Sequence, residues 1–374
     1  MTRFPPPRLA TGIGTAILAV MVSACGSAVG TPGPSPSAAP SASAGADRSA
    51  APSATATTYR IGASNTLVAD GWRRSMICSI QAEALASGRV SRVTLADRDT
   101  DGEGQANDLR NLVATGGDAL VLYPSDPGAI TDAVAEAIAA GVPVVSVGRV
   151  LDQEGTFAVA SDQEAYGYAG ATWLFEHLEG KGDVVIMRGT EGDPIDTERA
   201  AGVKRALEEH PDIKVVSETF TGWDPTTAVE QINAFLATDK DVDGIWTSGI
   251  DSVIVDALKT ADAPLVPIVG ADNGSFISQL LTEPGLIGAA VTDPAAVGGA
   301  GVALALQVLD GDPPADPTIL IAPEVWANDT DAGTATLTQV SDPDIDLQWP
   351  LKIDIPGRTT YTKDELLACM GPQS

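Results

Sequence analysis

Residues 119–147 read ALVLYPSDPGAITDAVAEAIAAGVPVVSV, and the fold class follows from how that stretch is built. It opens with an unbroken apolar run, Ala119-Leu120-Val121-Leu122-Tyr123. A strand with one wet face alternates apolar and polar side chains, whereas a continuous run suits a parallel strand covered on both faces. Pro124-Ser125-Asp126-Pro127 follows, with Asp126 set to cap a helix and Pro127 to begin it. Ile130, Val134 and Ile138 then recur at four-residue spacing along one helix face. Gly141 supplies the C-terminal stop, and Val142 to Val147 is the next apolar run. Strand, helix and strand in so short a span make one βαβ unit, the building block of an open parallel sheet.

The same alternation extends in both directions from Tyr59 onward. Val184-Val185-Ile186-Met187 and Leu265 to Val269 read as further strands. Val229, Ile232, Phe235 and Leu236 mark a helix begun by Asp224-Pro225. About four units precede residue 158 and about five follow it, which fits two doubly wound sheets, hence two α/β lobes, better than one very wide sheet. Length agrees, because more than 300 residues exceed what one core usually supports.

The N-terminal end reads differently. Arg3 and Arg8 precede a short apolar region, Ala10 to Val22, too short and too diluted by Gly and Thr for a transmembrane span. Val22-Ser23-Ala24-Cys25 looks like a bacterial lipobox, which would make residues 1–25 a lipoprotein signal peptide and Cys25 the lipid anchor. The alternative is an ordinary signal peptide with an incidental cysteine. Residues 26–57 are almost entirely Gly, Ser, Ala, Pro and Thr, a disordered tether with nothing to bury. The expected location is outside the cytoplasm, lipid-anchored to the outer face of the cytoplasmic membrane.

The formal net charge of −28 opposes phosphate backbones and argues against a nucleic-acid partner. Of three cysteines, Cys78 and Cys369 remain once Cys25 is lipidated. An even remainder in an oxidising compartment suggests one disulfide, against the alternative of two unrelated thiols. His177 and His210, the only histidines, lie on helices without metal-ligand spacing, so no metal and no cofactor are expected. Asp97, Asp99, Asp101, Gly102 and Asp108 match much of a calcium-loop spacing, but Gly104 occupies the position such loops make apolar. A solvated strand-to-helix turn is the preferred reading of residues 97–108.

In open α/β sheets the ligand lies beyond the carboxyl ends of the strands. The residues there include Asp70-Gly71-Trp72-Arg73, Gly148-Arg149 and the loop leading to Asp196 and Arg199. Further along come Thr221-Gly222-Trp223-Asp224, Ser248 to Asp251, Asp272-Asn273 and Thr292-Asp293. Carboxylates and amides accept hydroxyl protons, Arg donates, and flat indoles cover apolar C–H faces, the chemistry of carbohydrate recognition. For Trp72 and Trp223 the competing role is core packing, and for the acids it is helix capping.

From about Tyr59 to Asp312 the chain resembles the ribose-binding type of periplasmic sugar-binding protein, the receptor component of ABC importers. The resemblance rests on ordered landmarks: Asp108-Leu109-Arg110-Asn111-Leu112, Tyr123-Pro124-Ser125-Asp126, Gly141-Val142-Pro143-Val144-Val145 and Ala160-Ser161-Asp162. Glu198 to Val203, Gly270-Ala271-Asp272-Asn273 and Gly298-Gly299-Ala300-Gly301 continue it. It implies a type I periplasmic binding protein fold, two lobes joined by a three-crossover hinge. The division is 58–158 plus 292–320 for the first lobe and 159–291 plus 321–374 for the second lobe and tail, where the region after Pro323 exceeds the family pattern and reads as an extension packing on the second lobe.

The resemblance also implies a function: a monomeric, non-enzymatic receptor that closes on a small sugar or polyol and delivers it to an ABC permease. The expected ligand-binding residues are Asp70, Trp72, Arg73, Arg149, Asp196, Trp223, Asp251, Asp272, Asn273 and Thr292. Gly148 stands where the family has the Asp of an Asp-Arg pair, Thr197 where ribose binders have an Arg, and Arg73 where they have a second aromatic. Two other functions use the same features. A surface-anchored glycoside hydrolase would need Asp196, Asp251 and Asp272 to converge. A sensor receptor would present its bound ligand to a membrane kinase.

Overall fold

The computed structural model describes residues 57–68, 70–238 and 241–369. The signal segment, Cys25 and the tether up to residue 56 lie outside the described residues. The first sheet is built from β1 (Tyr59–Asn65), β2 (Val90–Asp97), β3 (Ala119–Leu122), β4 (Val144–Val147), β5 (Thr156–Ser161) and β11 (Thr318–Ile321). The second holds β6 (Lys181–Arg188), β7 (Asp212–Phe220), β8 (Gly244–Thr247), β9 (Ile268–Ala271), β10 (Gly288–Val291) and β12 (Val325–Ala327). Spatial orders are β11-β5-β4-β3-β1-β2 and β12-β10-β9-β8-β6-β7, each a doubly wound α/β sheet. All pairings are parallel except β12 on β10, where the chain returns along the sheet edge.

Among the described residues, eleven helices accompany the sheets. α1 (Gly71–Ala86), α2 (Gly102–Ala114), α3 (Pro127–Ala139) and α9 (Val297–Leu309) serve the first. α4 (Gln163–His177), α5 (Pro194–Glu209), α6 (Pro225–Leu236), α7 (Asp251–Thr260), α8 (Gly274–Thr282) and α10 (Asp331–Val340) serve the second, and α11 (Lys363–Ala368) ends the described chain. Strands β3, β4, β8 and β10 are buried at every residue, which explains their unbroken apolar sequence. Asp70, Asp101, Asp126, Asp162 and Asp224 each accept a backbone N–H in the first turn of the helix that follows. Part of the acidic composition is therefore engaged in capping.

β6 starts earlier than the sequence reading, at Lys181 rather than Val184, and two strands start later for one reason. β4 begins at Val144 rather than Val142, and β9 at Ile268 rather than Leu265. Pro143 and Pro267 stand at those starts and have no N–H for the ladder, but their carbonyls accept from Leu120 and Ile245 at 2.9 Å each.

The lobe boundaries also shift. β5 runs to Ser161 and β11 to Ile321, so the crossovers follow those residues instead of 158 and 320. The tail does not stay on the second lobe. β12 joins the second sheet, but Thr360 bonds to Glu83 of α1 and Cys369 is disulfide-bonded to Cys78 of the same helix, Cα atoms 5.3 Å apart.

Candidate binding cleft

A cavity of about 630 Å³ opens between residues that follow the strands of both sheets. Asp70, Trp72, Arg73, Tyr123 and Arg149 line it from the first lobe. Asp193, Trp223, Ser248, Asp272 and Asn273 line it from the second, and Asp293 lies at a crossover.

The first wall is organised by the start of α1. The Asp70 carboxylate accepts the Arg73 N–H at 2.8 Å and fixes the first turn. That turn carries Trp72 and Arg73. Arg73 lies 3.2 Å over the Tyr123 ring and donates to Asn65 Oδ1 at 2.9 Å. Burial lowers its pKa from the ordinary guanidinium value, opposed by nearby Tyr123 and Asp70. Trp72 meets Tyr123 edge-to-face, ring centroids 5.9 Å apart, and donates from Nε1 to the Asp293 carbonyl at 2.7 Å. Gly148 makes that placement possible, since a Cβ there would lie 2.7 Å from the Trp72 ring. An Asp at 148 and an indole in this position exclude each other.

Arg149 reaches across the cleft. Nη1 donates to the Ser125 carbonyl at 3.0 Å, and Nη2 to Asp193 Oδ2 at 2.5 Å. Asp193 belongs to the second lobe, where its other oxygen accepts the Ile195 N–H at the start of α5. The pair therefore holds the lobes together while Arg149 Nε stays buried without a partner.

The second wall holds Trp223 at φ 54°, left-handed backbone that a bulky residue adopts only under constraint. Its Nε1 donates to the Ser248 carbonyl at 2.8 Å, and Gly189 leaves room for the ring edge. Asp272 is buried, with Oδ1 accepting Asp293 N–H at 3.1 Å and Oδ2 accepting Lys352 N–H at 3.0 Å. Burial pushes its pKa up to about 7 against those two hydrogen bonds. Asn273 caps α8 through Phe276 N–H at 2.9 Å.

Behind both walls lies a buried polar cluster at the crossovers. Arg199 donates to Gln163 Oε1 at 2.7 Å, to the Ser248 carbonyl at 3.1 Å and to Asp293 Oδ2 at 2.7 Å. Asp293 Oδ1 accepts from Ser161 Oγ at 2.6 Å. Ser161 and Asp293 sit on different crossovers, so the bond ties one to the next.

Three expected residues do not line the cavity. Asp196 is 1 % exposed and accepts from Arg188 Nη2 at 2.6 Å and Gly189 N–H at 2.8 Å, so it secures the loop beneath Trp223. Asp251 is buried against Ala271 N–H at 2.7 Å and Asn273 Nδ2 at 2.9 Å. Thr292 Oγ1 accepts the Glu324 N–H at 2.8 Å, joining two crossovers. In each case the side chain turns back toward the backbone and satisfies orphan N–H groups. Asp193 and Gln348 line the cavity and were absent from the sequence reading. Arg199, Ser248 and Asp293 were flagged only by their place beyond a strand.

The acids of the calcium-like spacing are engaged locally. Asp97 accepts from Asn65 at 2.8 Å, Asp101 from Gly104 N–H at 2.8 Å, and Asp108 pairs with Arg98 at 3.0 Å. Among the described residues no cluster of three His, Cys, Asp or Glu is arranged to hold a metal.

Two doubly wound lobes, three crossovers and a cleft at the strand ends define a type I periplasmic binding protein. The chain belongs to the periplasmic binding protein domain family, whose model matches residues 61–313. It is 26% identical over 231 residues to the xylitol-binding protein of Mycolicibacterium smegmatis, spanning 61% of this chain and 66% of that one. It is 24% identical over 262 residues to the ribose import binding protein RbsB of Bacillus subtilis, spanning 69% and 84%. Among solved structures, the binding component of the arabinose ABC transporter from Shewanella sp. ANA-3 superposes with a TM-score of 0.67 at 23% identity, covering 75% of this chain and 95% of that one.

Proposed function

We propose that the chain is the extracytoplasmic receptor of an ABC importer, lipid-anchored through Cys25, that captures a small sugar or polyol by hinge closure. The observation that carries this reading is that Trp72 and Trp223, one from each lobe, line a single cleft bordered by carboxylate and guanidinium groups. Contacts made by both lobes exist together only when the cleft is closed, so a ligand that makes them shifts the equilibrium toward the closed form. Asp70, Arg73, Arg149, Asp272 and Asn273 border the same space and are proposed as its polar contacts. The relatives named for xylitol and ribose support the hydroxyl-rich class of solute.

A glycoside hydrolase is less well supported, because Asp196 and Asp251 are bonded to the protein outside the cavity lining and cannot flank a glycosidic bond there. The test is a thermal-shift screen against pentoses, hexoses and polyols, followed by calorimetry on any hit. Trp223→Ala is expected to weaken affinity at least tenfold while the unliganded protein stays folded. Wild-type affinity in that variant would remove Trp223 from the site.

A further inference from the structure

The C-terminal tail builds part of the cleft. Leu347, Gln348 and Pro350 all line the cavity, although they lie beyond the residues matched by the family model. Their position is fixed from both sides. On the second lobe, the Leu347 carbonyl accepts Ser275 N–H at 2.8 Å and the Trp349 carbonyl accepts Gly274 N–H at 3.1 Å. Leu351 N–H donates to the Asp272 carbonyl at 2.8 Å, and Asn273 and Pro350 form an antiparallel bridge. The Trp349 side chain is fully buried and pins the segment.

On the first lobe, residue 348 lies against the start of α1. A Cβ on Gly71 would fall 2.6 Å from the Gln348 carbonyl oxygen, so only glycine admits the tail there. Farther on, Thr360 N–H and Oγ donate to Glu83 at 2.6 and 2.8 Å, and Cys369 is bonded to Cys78. The segment thus spans from one lobe to the other along the cleft edge.

Gln348 is exposed and lines this space. Other lining residues, Arg149, Arg199, Asp272 and Asp293, are already engaged with protein groups. A carboxamide offers two donors and an acceptor, the complement of a hydroxyl that both gives and takes. Beside it, 58% of Leu347 is exposed, an apolar surface at the same edge.

We propose that the tail is a third wall of the binding cleft and that Gln348 is a specificity-determining contact to a ligand hydroxyl. This rests on the reading of the cleft as a sugar or polyol site. Tail residues, and not the two lobes alone, then select among ligands that differ by one hydroxyl.

The test measures affinities of the wild type, Gln348→Ala, Gln348→Leu and Trp223→Ala for D-ribose, L-arabinose, D-xylose, xylitol, myo-inositol and D-glucose by calorimetry. The Gln348 variants should weaken the best ligand roughly five- to twentyfold, the effect of one lost hydrogen bond, and change the rank order. Their unliganded melting temperatures should match the wild type, because residue 348 is exposed. If the wild type binds, Trp223→Ala loses affinity and both Gln348 variants keep the wild-type affinities and order, this proposal falls and the function stands. If the wild type binds no member of the set, both fall.

Discussion

Asp272 shows how one side chain joins separate parts of the molecule and makes them sensitive to pH. Its two oxygens accept N–H groups from the crossover at Asp293 and from the tail at Lys352. Burial raises its pKa to about 7, whereas in the unfolded chain a carboxyl titrates near 4. From roughly pH 4 to 7 the unfolded chain has released this proton and the folded chain retains it, so the folded state binds more protons. Stability from this group therefore falls as pH rises across that window and is level above it. Burial moves Asp251 in the same direction. The urea midpoint of the wild type is expected to decline across the window, and Asp272→Asn should flatten the decline. An equal slope in the variant would assign the pH dependence elsewhere. At this scale the sequence was a partial guide. Position beyond a strand singled out Trp72, Trp223, Arg149 and Asp272, all of which line the cavity, because strand ends are legible from apolar runs. It could not tell which acids line the cleft, because Asp196, Asp251 and Asp272 differ in which backbone N–H and side-chain donors lie within reach.

Elements were read more securely than residues, since period and capping are local properties. The starts of β4 and β9 moved inward where Pro143 and Pro267 removed a ladder donor. What local pattern does not carry is how elements cap one another. α9 starts at Val297 with Ala296 in the capping position and no side-chain bond of its own. Ser79, on α1, supplies it: Oγ accepts Gly299 N–H at 3.0 Å, with its own proton within reach of the Met76 carbonyl at 2.8 Å and the Ala295 carbonyl at 3.0 Å. One helix thus terminates another across more than 200 residues of sequence. Ser79→Ala leaves a buried N–H unpaired and should cost about 1–3 kcal/mol in denaturant titrations. Ligand affinity should be unchanged, since Ser79 is buried away from the cleft lining. A stability equal to the wild type would mean that water or another group takes over the bond. The tail was the least legible element. Its route to α1 depends on the Gly71 approach, Glu83 and the partner of Cys369, none of which has a signature in neighbouring residues.

For the whole molecule, the central question is what holds the lobes in register. The Arg149–Asp193 pair joins them directly and is mostly buried, 8% and 20% exposed at the side chains. Removing one partner strands a charge at the interface and should favour separation. Asp193→Ala is expected to increase the radius of gyration of the unliganded protein in X-ray scattering and to return to the wild-type value at saturating ligand. An unchanged radius without ligand would show that the crossovers and tail alone set the angle. Neither lobe is a contiguous stretch of chain. β5 lacks its outer neighbour until β11 (Thr318–Ile321) exists, and α1 stays uncovered until α9 and then α11 arrive. A chain emerging residue by residue, whether from a ribosome or through a translocation pore, therefore cannot finish its first half before nearly all of the second has appeared. Completion of the first lobe is deferred by topology until β11 and the last described helix have been made.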